Sequence, residues 1–201
     1  MSRNSKIERY HGQGEGVNEK NIERYGYPKY SLYSTRRILS RKQQIEVTDE
    51  DGNVLYMSES EPMILLDKTL ITDADGNEVA RFERRPNVIR EKHVLTMSSG
   101  MELLLEKEPL HIIKEITNIK KLDWQLKGNV GRLNFEIVDI FGQVVAVIGQ
   151  KRVSKDDKYS IDIYQDECAD VVACILIILM HIVRDRNIKG AAKALKKAGP
   201  Q

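Results

Sequence analysis

ADVVACILIILMHIV, residues 169–183, is the most apolar stretch of a 201-residue chain, and how it is housed decides the fold. A helix that crosses a bilayer needs roughly 20 largely apolar residues. Here the unbroken run goes from Val171 to Met180. His181 interrupts it, and Ile182 and Val183 finish it. Glu167 and Asp170 bound it on one side, Arg184 and Asp185 on the other. That length suits a buried core helix, and acids before it with a base after it suit a helix dipole. The run is apolar on every face, whereas a surface helix keeps one wet face. It must be surrounded, and the rest of the chain must supply the walls.

The middle of the chain has the period of strands. In LNFEIVD, Leu133, Phe135 and Ile137 fall on one side and Asn134 and Glu136 on the other. In DWQLK, Trp124 and Leu126 are set against Asp123, Gln125 and Lys127, and YSIDIY puts Tyr159, Ile161 and Ile163 on one face. Period two is the mark of a half-buried strand. The turns recur as well. VTDEDGNVLY, ITDADGNEVARFERR and IVDIFGQVVAVIGQKR each hold an Asp, two residues, then a Gly: Asp49 and Gly52, Asp73 and Gly76, Asp139 and Gly142. An Asp side chain closes an Asx-type turn and the Gly supplies positive φ at its exit, which is how short hairpins are made. SSG, Ser98 to Gly100, reads as a fourth turn. DEDGN and DADGN lack the remaining ligands and the distal Glu of a calcium loop. About a dozen strands fit between residues 31 and 164, with no convincing helix among them. So many short antiparallel strands form a sandwich or a barrel, and a closed sheet of that number leaves an interior that the apolar helix can fill.

Composition is that of a soluble protein, 41% hydrophobic and 31% charged, with a formal charge of +2. The charge is unevenly placed: residues 1–44 carry +6 and residues 184–201 carry +5, which leaves −9 for the middle. Basic ends on an acidic body favour phosphate or a lipid surface, or merely solvate the chain. The two cysteines, Cys168 and Cys174, fall on opposite faces of a helix and cannot pair with each other, which fits a reducing, intracellular setting. MSRNSKIERYHGQGEG has no apolar core of a secretory signal.

Three segments, RRILSRKQQIEVTDEDGNVLY, LLDKTLITDADGNEVARFERR and the long run from LDWQLKGNVG through DVVACILIILMHIVRD, resemble the LURP-one-related family, grouped with tubby C-terminal-like and phospholipid-scramblase-like proteins. The likeness covers about residues 31–186 and is most specific in the order of its last elements: a G-x-VVA strand, a basic pair with a D-x-Y strand, then Asp170 opening the apolar helix. It implies a mainly β fold, an antiparallel barrel of about twelve strands enclosing a hydrophobic C-terminal helix. It also implies kinship with tubby proteins, which bind phosphoinositides through basic side chains, and with scramblase-like proteins that act at membranes. The expected organisation is an N-terminal arm over 1–30, flexible or weakly helical; a barrel over 31–186 with its helix at about 167–184; and a basic tail over 187–201.

No catalytic set converges. His11, His93, His111 and His181 are scattered without metal-ligand spacing and read as surface or strand residues, His181 as a polar tip at the helix exit. Cys174 and His181 share a helix face but stand roughly 10 Å apart along the axis, too far for a dyad. GQGEG, Gly12 to Gly16, has neither the preceding strand nor the following Lys-Ser/Thr of a phosphate loop. No cofactor, metal or small-molecule substrate is expected, and the acidic body without interleaved aromatics argues against nucleic acid. Two basic clusters remain as candidate anionic-ligand contacts: Arg36, Arg37, Arg41 and Lys42 around the first strand, and Lys189, Lys193, Lys196 and Lys197 in a weakly amphipathic tail. The expectation is a non-enzymatic binding or regulatory module, cytoplasmic and peripheral to a membrane, whose partner is an anionic phospholipid headgroup. The alternatives are a scramblase-like protein whose apolar helix inserts, and a structural domain that binds an unknown protein.

Overall fold

The computed structural model describes residues 17–38, 43–60, 68–85, 92–107, 116–151, 158–166 and 168–198. A short helix, α1 (Val17–Tyr25), precedes twelve strands: β1 (Tyr30–Ile38), β2 (Gln43–Thr48), β3 (Val54–Ser60), β4 (Lys68–Asp73), β5 (Glu78–Arg85), β6 (Lys92–Met97), β7 (Glu102–Lys107), β8 (Ile116–Lys120), β9 (Trp124–Asn129), β10 (Asn134–Val138), β11 (Val144–Lys151) and β12 (Lys158–Ile163). A long helix, α2 (Ala169–Ala198), follows. The strands pair in sequence order, all antiparallel, and β1 closes the ring on β12 with Tyr30 opposite Ile163 and Thr35 opposite Lys158. Closure removes both sheet edges. The expected closed antiparallel barrel around the apolar helix is the observed fold.

The strand periodicity translates directly into burial. Phe135, Ile137, Trp124, Leu126, Ile161 and Ile163 are buried while Asn134, Gln125 and Lys127 face solvent. β12 is buried on both faces, because Ser160 and Asp162 on its outer side are also covered; Ser31 Oγ donates to Asp162 Oδ1 at 2.8 Å. Along α2, every residue from Val172 to Met180 is at most 3% exposed, and all belong to the same core as the inward side chains of the strands. Each such large side chain contributes about 1.5–3 kcal/mol by leaving water. Helix and barrel thus complete each other.

The helix enters and leaves at opposite ends of the barrel. At its start, Val172 N bonds to Cys168 O at 2.9 Å, and Tyr56 on β3 donates its hydroxyl to Asp170. Further along, Ser34 Oγ donates to Met180 Sδ at 3.2 Å and Ser58 Oγ lies 2.9 Å from His181 Nε2. His181 is therefore a buried plug between helix and wall and not an exposed tip. His93, on β6, is also buried, stacked on Phe82 at 5.8 Å. The helix does not stop near residue 184. It runs to Ala198, since AAKALKKA is made of strong helix formers and no proline intervenes. At the other terminus, α1 is tied to the barrel. Arg24 pairs with Glu136 at 2.9 Å, Tyr25 meets Tyr164 edge-on at 5.8 Å, and Lys29 pairs with Asp166. Residues 1–16 lie outside the described residues.

Candidate functional site

The up-and-down topology sorts the connections into two sets. The turns after β2, β4, β6, β8 and β10 all lie where α2 enters, and the connections after odd-numbered strands lie where it leaves.

At the entry end the Asp-x-x-Gly turns have one construction. Asp49 Oδ1 accepts from Asp51 N at 2.9 Å and Asn53 N at 2.8 Å; Asp73 Oδ1 accepts from Asp75 N at 3.0 Å and Asn77 N at 2.8 Å; Asp139 Oδ1 accepts from Phe141 N at 2.9 Å and Gln143 N at 2.8 Å. Each is preceded by a register shift, between Val47 and Thr48, Ile71 and Thr72, and Ile137 and Val138. The extra residue is what lets the Asp oxygen reach back over the turn. The bonds from Asn77 hold the Asp73 carboxyl below the usual range. For Asp49 and Asp139 desolvation works the other way, but the donated hydrogen bonds outweigh it and hold both low as well. Asp49, Asp73 and Asp139 are turn closures. Among the described residues, no three His, Cys, Asp or Glu side chains gather as metal ligands would. A concavity of about 400 Å³ at this end is walled by Tyr30, Leu55, Tyr56, Asp49, Glu50 and Asp51, a lining that repels phosphate.

The exit end has the opposite character. β1 and α2 run the same way, so Arg36 and Arg37 at the far end of β1 lie at the end from which α2 departs toward Lys189, Lys193, Lys196 and Lys197. Arg36 is half-buried, opposite Ile45 on β2, on the same inward face of β1 as Leu32 and Ser34. Arg37 stands opposite Gln44 with its side chain outside the described residues, as are the side chains of the four tail lysines; Arg41 and Lys42 lie wholly outside them. Two clusters some 150 residues apart are thus brought to one end of the molecule. The structure adds residues that sequence reasoning passed over. β4 begins at Lys68, β5 ends with Arg84-Arg85, β6 begins at Lys92, β7 ends at Lys107, β11 ends at Lys151 and β12 begins at Lys158. All are strand termini at this same end. The signal was present as a Lys or Arg at alternate strand ends, but it is unreadable until the strand order is known. Some of this charge is internally offset. Lys68 approaches Glu83 at 3.8 Å, and Arg85 reaches Glu83 at 3.3 Å and Glu102 at 3.5 Å.

Both cysteine thiols are buried. Burial, with Asp170 adding to it, pushes the Cys174 thiol up to about 12, and burial also raises Cys168, so both stay protonated.

A model of the LURP-one-related family matches residues 30–180, the whole barrel and most of the buried helix. The chain belongs to the LURP-one-related family. No curated protein matches it. Among solved structures, an X-ray structure of an Arabidopsis thaliana protein is similar over 79% of this chain and 94% of that one, at 17% identity and a TM-score of 0.52. That likeness concerns the fold, a tubby-like barrel. In this LURP-one-related chain no helix among the described residues is long and apolar enough to cross a membrane, a statement about helices and not about strands.

Proposed function

We propose that this LURP-one-related domain is a non-enzymatic binding module that meets anionic phospholipid headgroups with the helix-exit end of its barrel, as a peripheral protein on the cytoplasmic side. One observation carries the reading: the first-strand arginines, the tail lysines and a ring of basic strand termini fall at one end, while the carboxylate turns fall at the other. Each basic residue near an anionic leaflet contributes on the order of 1 kcal/mol, and the attraction is screened by salt. The fully sheathed helix favours surface contact over insertion, since its apolar faces are already satisfied by the strands.

Vesicle sedimentation tests it. The full chain should pellet with phosphatidylcholine vesicles containing phosphoinositide or phosphatidylserine at low salt, and release as salt rises. Combined Arg36→Glu and Arg37→Glu, or combined Lys193→Glu, Lys196→Glu and Lys197→Glu, should each cut recovery several-fold. Equal recovery on neutral and anionic vesicles defeats the proposal and leaves a protein partner as the reading.

A further inference from the structure

At the entry end the β2–β3, β4–β5 and β10–β11 turns share the Asp closure, and β6–β7 has the same backbone bonds with Met97 in place of the Asp, but their tips differ. The β2–β3 tip is Glu50-Asp51, the β4–β5 tip Ala74-Asp75 and the β6–β7 tip Ser98-Ser99, whereas the β10–β11 tip is Ile140-Phe141. Ile140 is 68% exposed and Phe141 84%. A lone exposed apolar residue is ordinary. An adjacent pair on the apex of a turn is different, and this turn is rigid. Besides the two bonds into Asp139 Oδ1, Gly142 N bonds to Asp139 O at 3.0 Å and Gln165 Nε2 donates to Asp139 Oδ2 at 3.1 Å. A tip held in this way loses little conformational freedom when it is covered.

A concavity of about 330 Å³ opens directly beside the tip, lined in part by Trp124, Ile140, Lys120, Lys127 and Asp123. Knob and hole thus share one patch. We propose that this patch takes a second copy of the same chain: a two-fold axis beside the tip seats each Phe141 in the other copy's concavity. Such an isologous contact is self-complementary by construction. The phenyl ring meets the lysine ammonium groups there, a favourable cation–π arrangement. The patch carries both signs, so the two-fold sets Lys127 of one copy against Asp123 of the other, while Lys120 already approaches Glu106 of its own chain at 3.8 Å. The adjacent β8–β9 turn is itself of mixed sign, with Lys120, Lys121 and Asp123, which suits a contact with another copy of the patch better than a uniformly anionic bilayer. One hairpin tip is far below the area of a stable dimer, so the association is weak and driven by concentration. The surface is at the opposite end from the proposed lipid contact and does not depend on it.

Sedimentation equilibrium of the full chain from about 10 μM to about 1 mM, the range a small interface demands, tests this. The wild type should move from monomer toward dimer across the series. Phe141→Asp or Ile140→Asp should shift the midpoint at least tenfold, and Lys127→Glu should shift it less. Asp51→Lys, on the β2–β3 turn beyond β12 and β1, should leave it unmoved. The tip variants should melt as the wild type does, since the tip supports nothing beneath it. A wild type that stays monomeric throughout, or a Phe141→Asp variant that associates unchanged, overturns the proposal. Vesicle recovery that Phe141→Asp abolishes in the absence of self-association overturns it too, in favour of a lipid wedge.

Discussion

The two ends of this barrel do different work with the same strands. The entry end is held by short-range bonds, each Asp closing its own turn on amides two and four residues ahead, and its β2–β3 and β4–β5 turns are acidic. The exit end gathers basic residues from strands far apart in the chain, although its described connection, between β9 and β10, is also closed locally, by Asn129 Oδ1 accepting from Arg132 N at 3.0 Å. One end is thus local in origin and the other a product of topology. Local chemistry makes scaffolds legible from short motifs, whereas a surface assembled from alternate strand ends has no motif of its own.

Both ends depend on the sheathed helix. Leu176→Asp places a carboxylate in the middle of the sheathed helix, where effective desolvation costs several kcal/mol. Circular dichroism should show loss of the cooperative fold, both ends failing together. Next is Gly128→Ala at the exit end. Gly128 has φ of 120°, and an added Cβ would meet Asn134 O at 3.0 Å and Phe135 Cα at 3.1 Å. Strain of this kind costs about 1–3 kcal/mol, readable as a lower urea midpoint. Acid titration sharpens the contrast. The folded-state values of Asp49, Asp73 and Asp139 lie below their unfolded ones, so their contribution is full above the ordinary carboxylate range, about 4, and is lost as pH falls through the lowered values. Replacing all three by Asn should flatten the fall in urea midpoint between about pH 4 and pH 2. The smallest effect belongs to Lys29→Ala. Its partner Asp166 is exposed, and surface pairs contribute about 0–1 kcal/mol, so the melting temperature should barely move.

Much of the fold was readable in the residues. Period two in LNFEIVD and DWQLK, and the Asp-x-x-Gly spacing, named strands and turns that the structure contains. The burial of His93 and His181 was not readable, because a histidine carries no pattern and only a neighbour such as Ser58 or Phe82 defines its place. The candidate site was half-legible. Arg36 and the tail lysines stand out as charge runs, but Lys68, Lys92, Lys107 and Lys158 each look like a single surface charge. The Ile140-Phe141 tip could have been found by laying the turns beside one another, as the one apex without a polar or small residue.

By itself the sequence determined the period of the strands, the chemistry of the turns and the need to enclose an apolar segment, because each follows from neighbours a few residues apart. Even the helical state of VVACILIILM was not a matter of propensity, since its many β-branched residues suit a strand equally well. Twelve strands that already satisfy one another leave no edge for a thirteenth, and a segment surrounded on all sides must satisfy its own amides, which only a helix does. Closure of the barrel, and with it the gathering of basic strand ends at one mouth, was decided by the tertiary structure, because it depends on contacts between residues more than a hundred positions apart.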